Sequence, residues 1–410
     1  MRALFPLLFL FGCQPEEPDT LTWYGDMEPL VQRVCASCHV EGGVGAGDFT
    51  TYEGFRPYAE ISALYVQEGL MPPPASEPEC RPYIGAEHLS LTPEERQDLL
   101  QWIDEGSPEG DPARSVGDFV SDIGRLDDAD LVLELPAPHT VTTDEKGNQY
   151  RCFVVDHVPE QDIWVTAFDV QVDNPEVVHH MLLFADPEGR GGAAYGADEG
   201  ATSFDCADPI MDPTWEPLHA WAPGMPPTAL SDGHGLKIEA GTPLIIQMHY
   251  FVDDDLEHED RSAYALRTTT DTVIDIQLIP GAFTDLFIPA GEPEHVHTGS
   301  EPFNMDFSVA IHGVFPHMHL LGTRYEFQVD HADGSSTCVV RGDWDFDHQM
   351  VYMFEEPVVL ESGATLVGSC TYDNSADNPN QLHDPPIDVT WGEGTDDEMC
   401  VFLSYVSISL

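Results

Sequence analysis

From Tyr150 to Ile408 the chain is a succession of short apolar segments rich in Val, Ile, Phe and Thr, punctuated by Pro, Gly and Asp. Segments of that length and composition suit strands bounded by turns, and they are too short to bury a full helical face. The 34 Gly and 34 Pro among 410 residues point the same way. The expected fold is mostly β: two antiparallel β-sandwiches, jelly-roll-like, over residues 141–270 and 271–410, preceded by a small α-helical domain. Expected strands in the first are Tyr150–Val155, Ile163–Val172, Val177–Phe184, Leu236–Ile238 and Leu244–Tyr250. In the second they are Ile274–Ile279, Met305–Val314, Tyr325–Val329, Cys338–Arg341, Val351–Phe354, Thr365–Thr371 and Val401–Ile408.

Within these strands histidines recur. Val177–Phe184 reads VVHHMLLF, with His179 and His180 adjacent. Successive strand side chains face opposite ways, so the plain reading is one buried and one exposed imidazole. Both can reach one metal only if the strand twists or bulges there. His249 follows in Gln247-Met248-His249-Tyr250, and His317 and His319 in Phe315-Pro316-His317-Met318-His319. Residues two apart lie on one face of an extended chain, the simplest two-ligand geometry that a strand offers. Met399, in Asp397-Glu398-Met399-Cys400, adds a thioether. All-imidazole ligation suits copper, zinc or iron, whereas two imidazoles with a thioether stabilise Cu(I) and are unusual for zinc. Met248 and Met318 read as core or orienting side chains, and His295, His297 and His312 as satisfied or exposed ones.

The amino terminus reads as a targeting segment. Arg2 is a minimal positive region and Ala3–Phe11 a short apolar one. Leu10-Phe11-Gly12-Cys13 resembles the box cleaved before a lipidated cysteine in bacterial lipoproteins. The expectation is a tether over residues 1–21, with acyl groups on Cys13 holding the protein to a membrane of the cell envelope. Gln14 beside that cysteine resembles lipoproteins sent to the outer membrane, with the protein on the periplasmic or extracellular face. An ordinary signal peptide cut nearby is the alternative. Of the nine cysteines, Cys80, Cys152, Cys206, Cys338, Cys370 and Cys400 are an even set that could form disulfides in an oxidising compartment. With 15 basic and 74 acidic residues the net charge is -59, which repels nucleic acid and anionic lipid surfaces and excludes both as partners.

Residues 22–112 carry Cys35-Ala36-Ser37-Cys38-His39, the attachment signature of c-type haem: two thioethers hold the porphyrin and the histidine ligates iron. A chance C-x-x-C of the redox or zinc type is the competing reading. Met27–Cys35 can form a helix leading into the motif, with Gly42, Gly43 and Gly45 as the loop after it. Gly69-Leu70-Met71-Pro72-Pro73-Pro74 then offers a thioether, and Thr92-Pro93-Glu94-Glu95 opens a helix with a capping box. Leu99, Leu100, Trp102 and Ile103 form its buried face and Gly106 ends it. This order resembles a class I cytochrome c domain, which implies axial ligation by His39 and Met71 and a role in electron transfer; Met27 is the alternative thioether. Residues 113–140 read as a connection.

In the order VVHHMLLF, Leu218-His219-Ala220-Trp221-Ala222-Pro223, Pro226-Pro227-Thr228, Gln247-Met248-His249-Tyr250, FPHMHLLG and DEMC, the chain resembles the copper type II monooxygenases, the family of peptidylglycine and dopamine monooxygenases. The resemblance implies an electron-transfer copper on His179, His180 and His249, and an oxygen-binding copper on His317, His319 and Met399. It matches Gln247 to a glutamine near the first copper, although a plain strand glutamine reads as well there, and it pairs Cys370 with Cys400. Two positions depart from the peptidylglycine enzymes. An arginine and a tyrosine near their substrate are here Phe315 and Leu403, which argues against a peptide carboxylate and for a neutral or cationic substrate. The expected activity is hydroxylation of an aliphatic C–H of a small organic substrate with dioxygen. Its two copper ions would be fed through one covalent haem by a carrier other than ascorbate. A non-catalytic copper-binding or electron-transfer surface lipoprotein on the same scaffold is the second expectation, and a zinc hydrolase a weaker third that Met399 opposes.

Overall fold

A computed structural model describes residues 20–40, 45–119, 125–144, 147–198, 200–206, 214–252 and 256–409. The expected targeting segment with Cys13, and Gly42 and Gly43 of the loop expected after His39, lie outside the described residues. Among the described residues no helix is long and apolar enough to cross a membrane.

The chain is rich in β-sheet, and the expected strands form with their ends moved by a few residues. A five-stranded antiparallel sheet carries, in order, Ser203–Asp205, Asn148–Val154, Leu244–Phe251, Val178–Ala185 and Glu216–Trp221. A four-stranded antiparallel sheet carries His295–Phe303, Ala364–Tyr372, Gly322–Asp330 and Ser336–Asp343. The largest sheet joins strands from both halves of the β region. It runs through Leu131–Glu134, Ala263–Thr269, Ile163–Gln171, His234–Ile238, Ile274–Ala282, Val401–Ser409, Ser308–His317 and Tyr352–Leu360. Its seam is a short parallel ladder in which Ile274, Asp275 and Ile276 face His234, Gly235 and Leu236. The seam lies just past the expected division at residue 270. Two sheet edges with unpaired backbone groups satisfy each other there, and one core, from Leu133 to Tyr405, continues beneath both halves.

The amino-terminal helices Glu28–Val34, Ala59–Glu68 and Pro93–Asp104 enclose a separate core of Trp23, Phe55, Leu99 and Trp102. The last helix opens with the expected capping box, Thr92 accepting from the Glu95 amide, and closes where Gly106 adopts φ 91°. Between Met71 and Leu91 the chain leaves this unit and lies on the carboxy-terminal sheets. Glu77 N donates to Arg341 O at 2.7 Å and Ile84 N to Met353 O at 2.8 Å, and Cys80 is joined to Cys338. The Glu77 carboxylate accepts from Arg324 at 2.6 Å and Arg341 at 2.8 Å, and Tyr83 is buried against Tyr352. Residues 75–89 are therefore a strap that fastens the helical unit to the β region.

Candidate metal centre

His179 and His180 come to one side through a bulge. His180 lies opposite His249 across the ladder, and the next pair is Val178 with Tyr250, so His179 is the extra residue. Two residues then oppose one, the local strand twists, and both imidazoles turn to the same face. The ring centroids of His179 and His180 are 4.3 Å apart, with His249 at 4.9 Å from the first and 5.5 Å from the second. One nitrogen from each ring lies within 4.8 Å of those of the other two.

The hydrogen bonds show which nitrogens are open. His249 Nε2 donates to Asn148 Oδ1 at 2.9 Å, which leaves Nδ1 unprotonated, and Tyr150 stacks on the ring at 4.2 Å. His179 Nδ1 is buried with no hydrogen-bond partner among the described residues. A buried ring nitrogen left without a partner is costly, and a metal ion removes that cost. Burial, followed by the neighbouring imidazoles, holds all three rings below the usual histidine range, His179 at about 4, so they are neutral at neutral pH, the form in which an imidazole can ligate a metal.

His317 closes the strand Ser308–His317, and His319 follows in the loop with its ring centroid 5.2 Å away. His317 Nδ1 donates to Gln349 Oε1 at 2.8 Å and His319 Nδ1 to Asp397 O at 3.1 Å. Carbonyl oxygens only accept, so both rings keep Nε2 unprotonated and open. Burial is the main cause that lowers His317 to about 3 and His319 to about 4. Met399 reaches the same cleft because His317 pairs with Val401 across the sheet.

Glu398 completes that arrangement, and nothing in the sequence marked it out. Fully buried, its carboxylate accepts from the amides of His319 at 2.9 Å, Leu321 at 2.6 Å and Met399 at 3.2 Å. One side chain thus ties the loop bearing the second histidine to the segment bearing the thioether, just before the strand Val401–Ser409. Burial raises its pKa to about 8 against the pull of those amides. Cys370–Cys400 is bonded, as the resemblance implied, and Tyr372 donates to Met399 O at 2.8 Å. The other bonds are Cys80–Cys338 and Cys152–Cys206.

The two sets face each other across one cleft, with the His180 and His317 rings 5.5 Å apart. Phe346, from the carboxy-terminal half, lies 4.9 Å from His179, so both halves build the same site. Phe315 and Leu403 pair directly across the sheet and form part of an apolar wall with Leu182 and Trp221. Gln247 also lines the cleft, donating to Cys206 O at 3.0 Å.

In the helical unit Cys35 and Cys38 form no disulfide, and burial raises both thiols, Cys35 to about 12. His39 Nδ1 donates to Ala46 O at 2.7 Å, leaving Nε2 unprotonated, and its ring stacks on Phe49. A side chain at Gly45 would strike that ring at 2.6 Å. Cys35 and Met71 pack against the same helical core, of which Met27 is a buried member. Cys35, Cys38, His39 and Met71 are the donor types that a covalently held haem would use.

Residues 284–407 match the family model described as copper type II ascorbate-dependent monooxygenase, C-terminal domain. The chain is 27% identical over 261 residues to peptidylglycine alpha-amidating monooxygenase of Rattus norvegicus, covering 60% of this chain and 24% of that protein. It is 26% identical over 263 residues to the Mus musculus peptidyl-glycine alpha-amidating monooxygenase, with the same 60% and 24% coverage. The chain therefore spans about a quarter (24%) of the length of these relatives. These matches support the copper type II monooxygenase family. Among solved structures, the VP2 subviral particle of infectious bursal disease virus is similar over 69% of this chain and 73% of that one. With 9% identity and a TM-score of 0.20, that similarity carries no argument.

Proposed function

We propose that this protein is a copper-dependent monooxygenase that hydroxylates an aliphatic C–H of a small neutral or cationic substrate. One copper would be held by His179, His180 and His249, and another by His317, His319 and Met399. The observation that carries the reading is the pair of unlike donor sets on one cleft, in a chain whose residues 284–407 match the copper monooxygenase model. Bound copper supplies the one-electron steps that reduce dioxygen: one oxygen atom enters the C–H bond, and the other leaves as water with two electrons and two protons.

The chain's own groups set the conditions. Asn148, Gln349 and Asp397 fix the tautomers of His249, His317 and His319. The Phe315–Leu403 wall presents no cation to a carboxylate, so substrate is held by apolar contact and water is kept from its C–H. Electrons would enter through a haem held by Cys35, Cys38, His39 and Met71, whose Fe(II) state is restored by an external carrier. The lipid anchor on Cys13, with attachment to the cell envelope, belongs to the same proposal.

Replacing Met399 by Ala tests it. The purified protein should hold two coppers and the variant one, and oxygen uptake coupled to product should fall at least about a hundred-fold, while haem reduction is unchanged. Retained turnover removes this copper from the mechanism. A second reading, a copper relay without catalysis, is favoured by the loss of the substrate-side arginine and tyrosine at Phe315 and Leu403. It requires both coppers with no product-coupled uptake.

A further inference from the structure

One side chain touches both histidine sets. Gln349 is 1% exposed; its Oε1 accepts from His317 Nδ1 at 2.8 Å, and its Nε2 donates to Phe346 O at 2.9 Å and to His180 Nε2 at 3.1 Å. The Phe346 carbonyl can only accept, so it decides which end of the amide is nitrogen. This orientation suits His317, whose Nε2 stays open for a metal.

It does not suit His180. Because Nε2 of that ring accepts from the amide, the ring's own proton sits on Nδ1, and neither nitrogen is open. Binding a metal through Nε2 displaces the amide N–H. Binding through Nδ1 moves the proton to Nε2, which then faces a second donor at 3.1 Å. In either case the amide must turn or withdraw. A half-turn would bring its nitrogen against the Nδ1–H of His317 and remove the bond that fixes that ring.

We propose that Gln349 is a positioning residue that links the two metal sites, so that filling the His179, His180 and His249 set weakens the hold of the His317, His319 and Met399 set. The proposal rests on the copper reading above. The link is an equilibrium coupling, and it runs equally in both directions.

The test is Cu(I) titration of the full-length apoprotein against a chromogenic chelator, with sulfur scattering in copper X-ray absorption reporting the Met399 set. Disabling the first set by His179→Ala should tighten copper at the second about five-fold or more. With Gln349→Leu that difference should vanish. Gln349→Glu offers a second case, since a carboxylate accepts from both rings at once and removes the conflict between them, although it gives up the bond to the Phe346 carbonyl; near-UV circular dichroism identifies folded variants. A five-fold shift that persists in both Gln349 variants, or no shift from His179→Ala with Gln349 present, overturns the coupling. Fewer than two coppers in the wild type, or sulfur scattering unchanged by Met399→Ala, overturns the copper assignment itself, whereas two coppers bound independently overturn the coupling alone.

Discussion

At the scale of single residues, the site depends on side chains that hold its ligands as much as on the ligands. Glu398 satisfies three buried amides, those of His319, Leu321 and Met399. Glu398→Ala strands all three, and at about 1 kcal/mol or more for each orphaned donor the loss should reach roughly 3 kcal/mol, measured by urea unfolding. Glu398→Gln keeps the shape and one acceptor oxygen and should lose about half as much. Copper content in the Ala variant should fall by one ion even where it folds; full content would show that the loop and strand stay together without the carboxylate. The candidate histidine ligands were legible because buried histidines in apolar strands need partners. Glu398, Gln349 and Asn148 were not, because an acceptor's role depends on which distant amide or ring the fold brings to it.

At the scale of elements, the bulge at His179 turns a strand with alternating faces into one that offers two adjacent rings to the same side. Deleting His179 lets Val178 follow His180 in a regular ladder against Tyr250 and His249. The deletion should therefore melt no lower than His179→Ala, which keeps the unpaired residue, while both variants lose the metal of that set. A deletion that melts several degrees below the substitution would show that the extra residue also serves the sheet. Adjacent histidines in VVHHMLLF anticipated this irregularity, since a regular strand cannot aim both rings at one ion. Strand positions followed from alternation and turn residues, but Glu216–Trp221, Ala263–Thr269 and His295–Phe303 were missed; the last has an exposed, polar pattern without an apolar stripe.

At the scale of the whole molecule, the strap of residues 75–89 fixes the helical unit to the carboxy-terminal sheets, next to strands that continue to the cleft. Burial pushes the Glu77 carboxyl up, but hydrogen bonds from Arg324 and Arg341 outweigh it and hold the group below its ordinary 4.5. A carboxyl lowered by folding stabilises at pH above its unfolded value, and that contribution is lost as pH falls through the folded one. The stability difference between wild type and Glu77→Gln should be roughly 1 kcal/mol at neutral pH, constant down to about pH 5, and should shrink toward zero below it. Thermal melts across that range check it, and a difference independent of pH would mean that the arginines do not act through charge.

The sequence by itself determined the local outcomes: β-strands from short apolar segments, the capped helix at Thr92, and six candidate metal-binding side chains in strands or just beside them. These follow from periodicity and from the chemistry of residues close in the chain. Only the tertiary structure decided that the two halves share one sheet across His234–Leu236 and Ile274–Ile276, that the strap crosses to Cys338, and that His180 and His317 meet over Gln349. Those are pairings between residues far apart in sequence, selected by edge closure and core burial, and no local pattern records them.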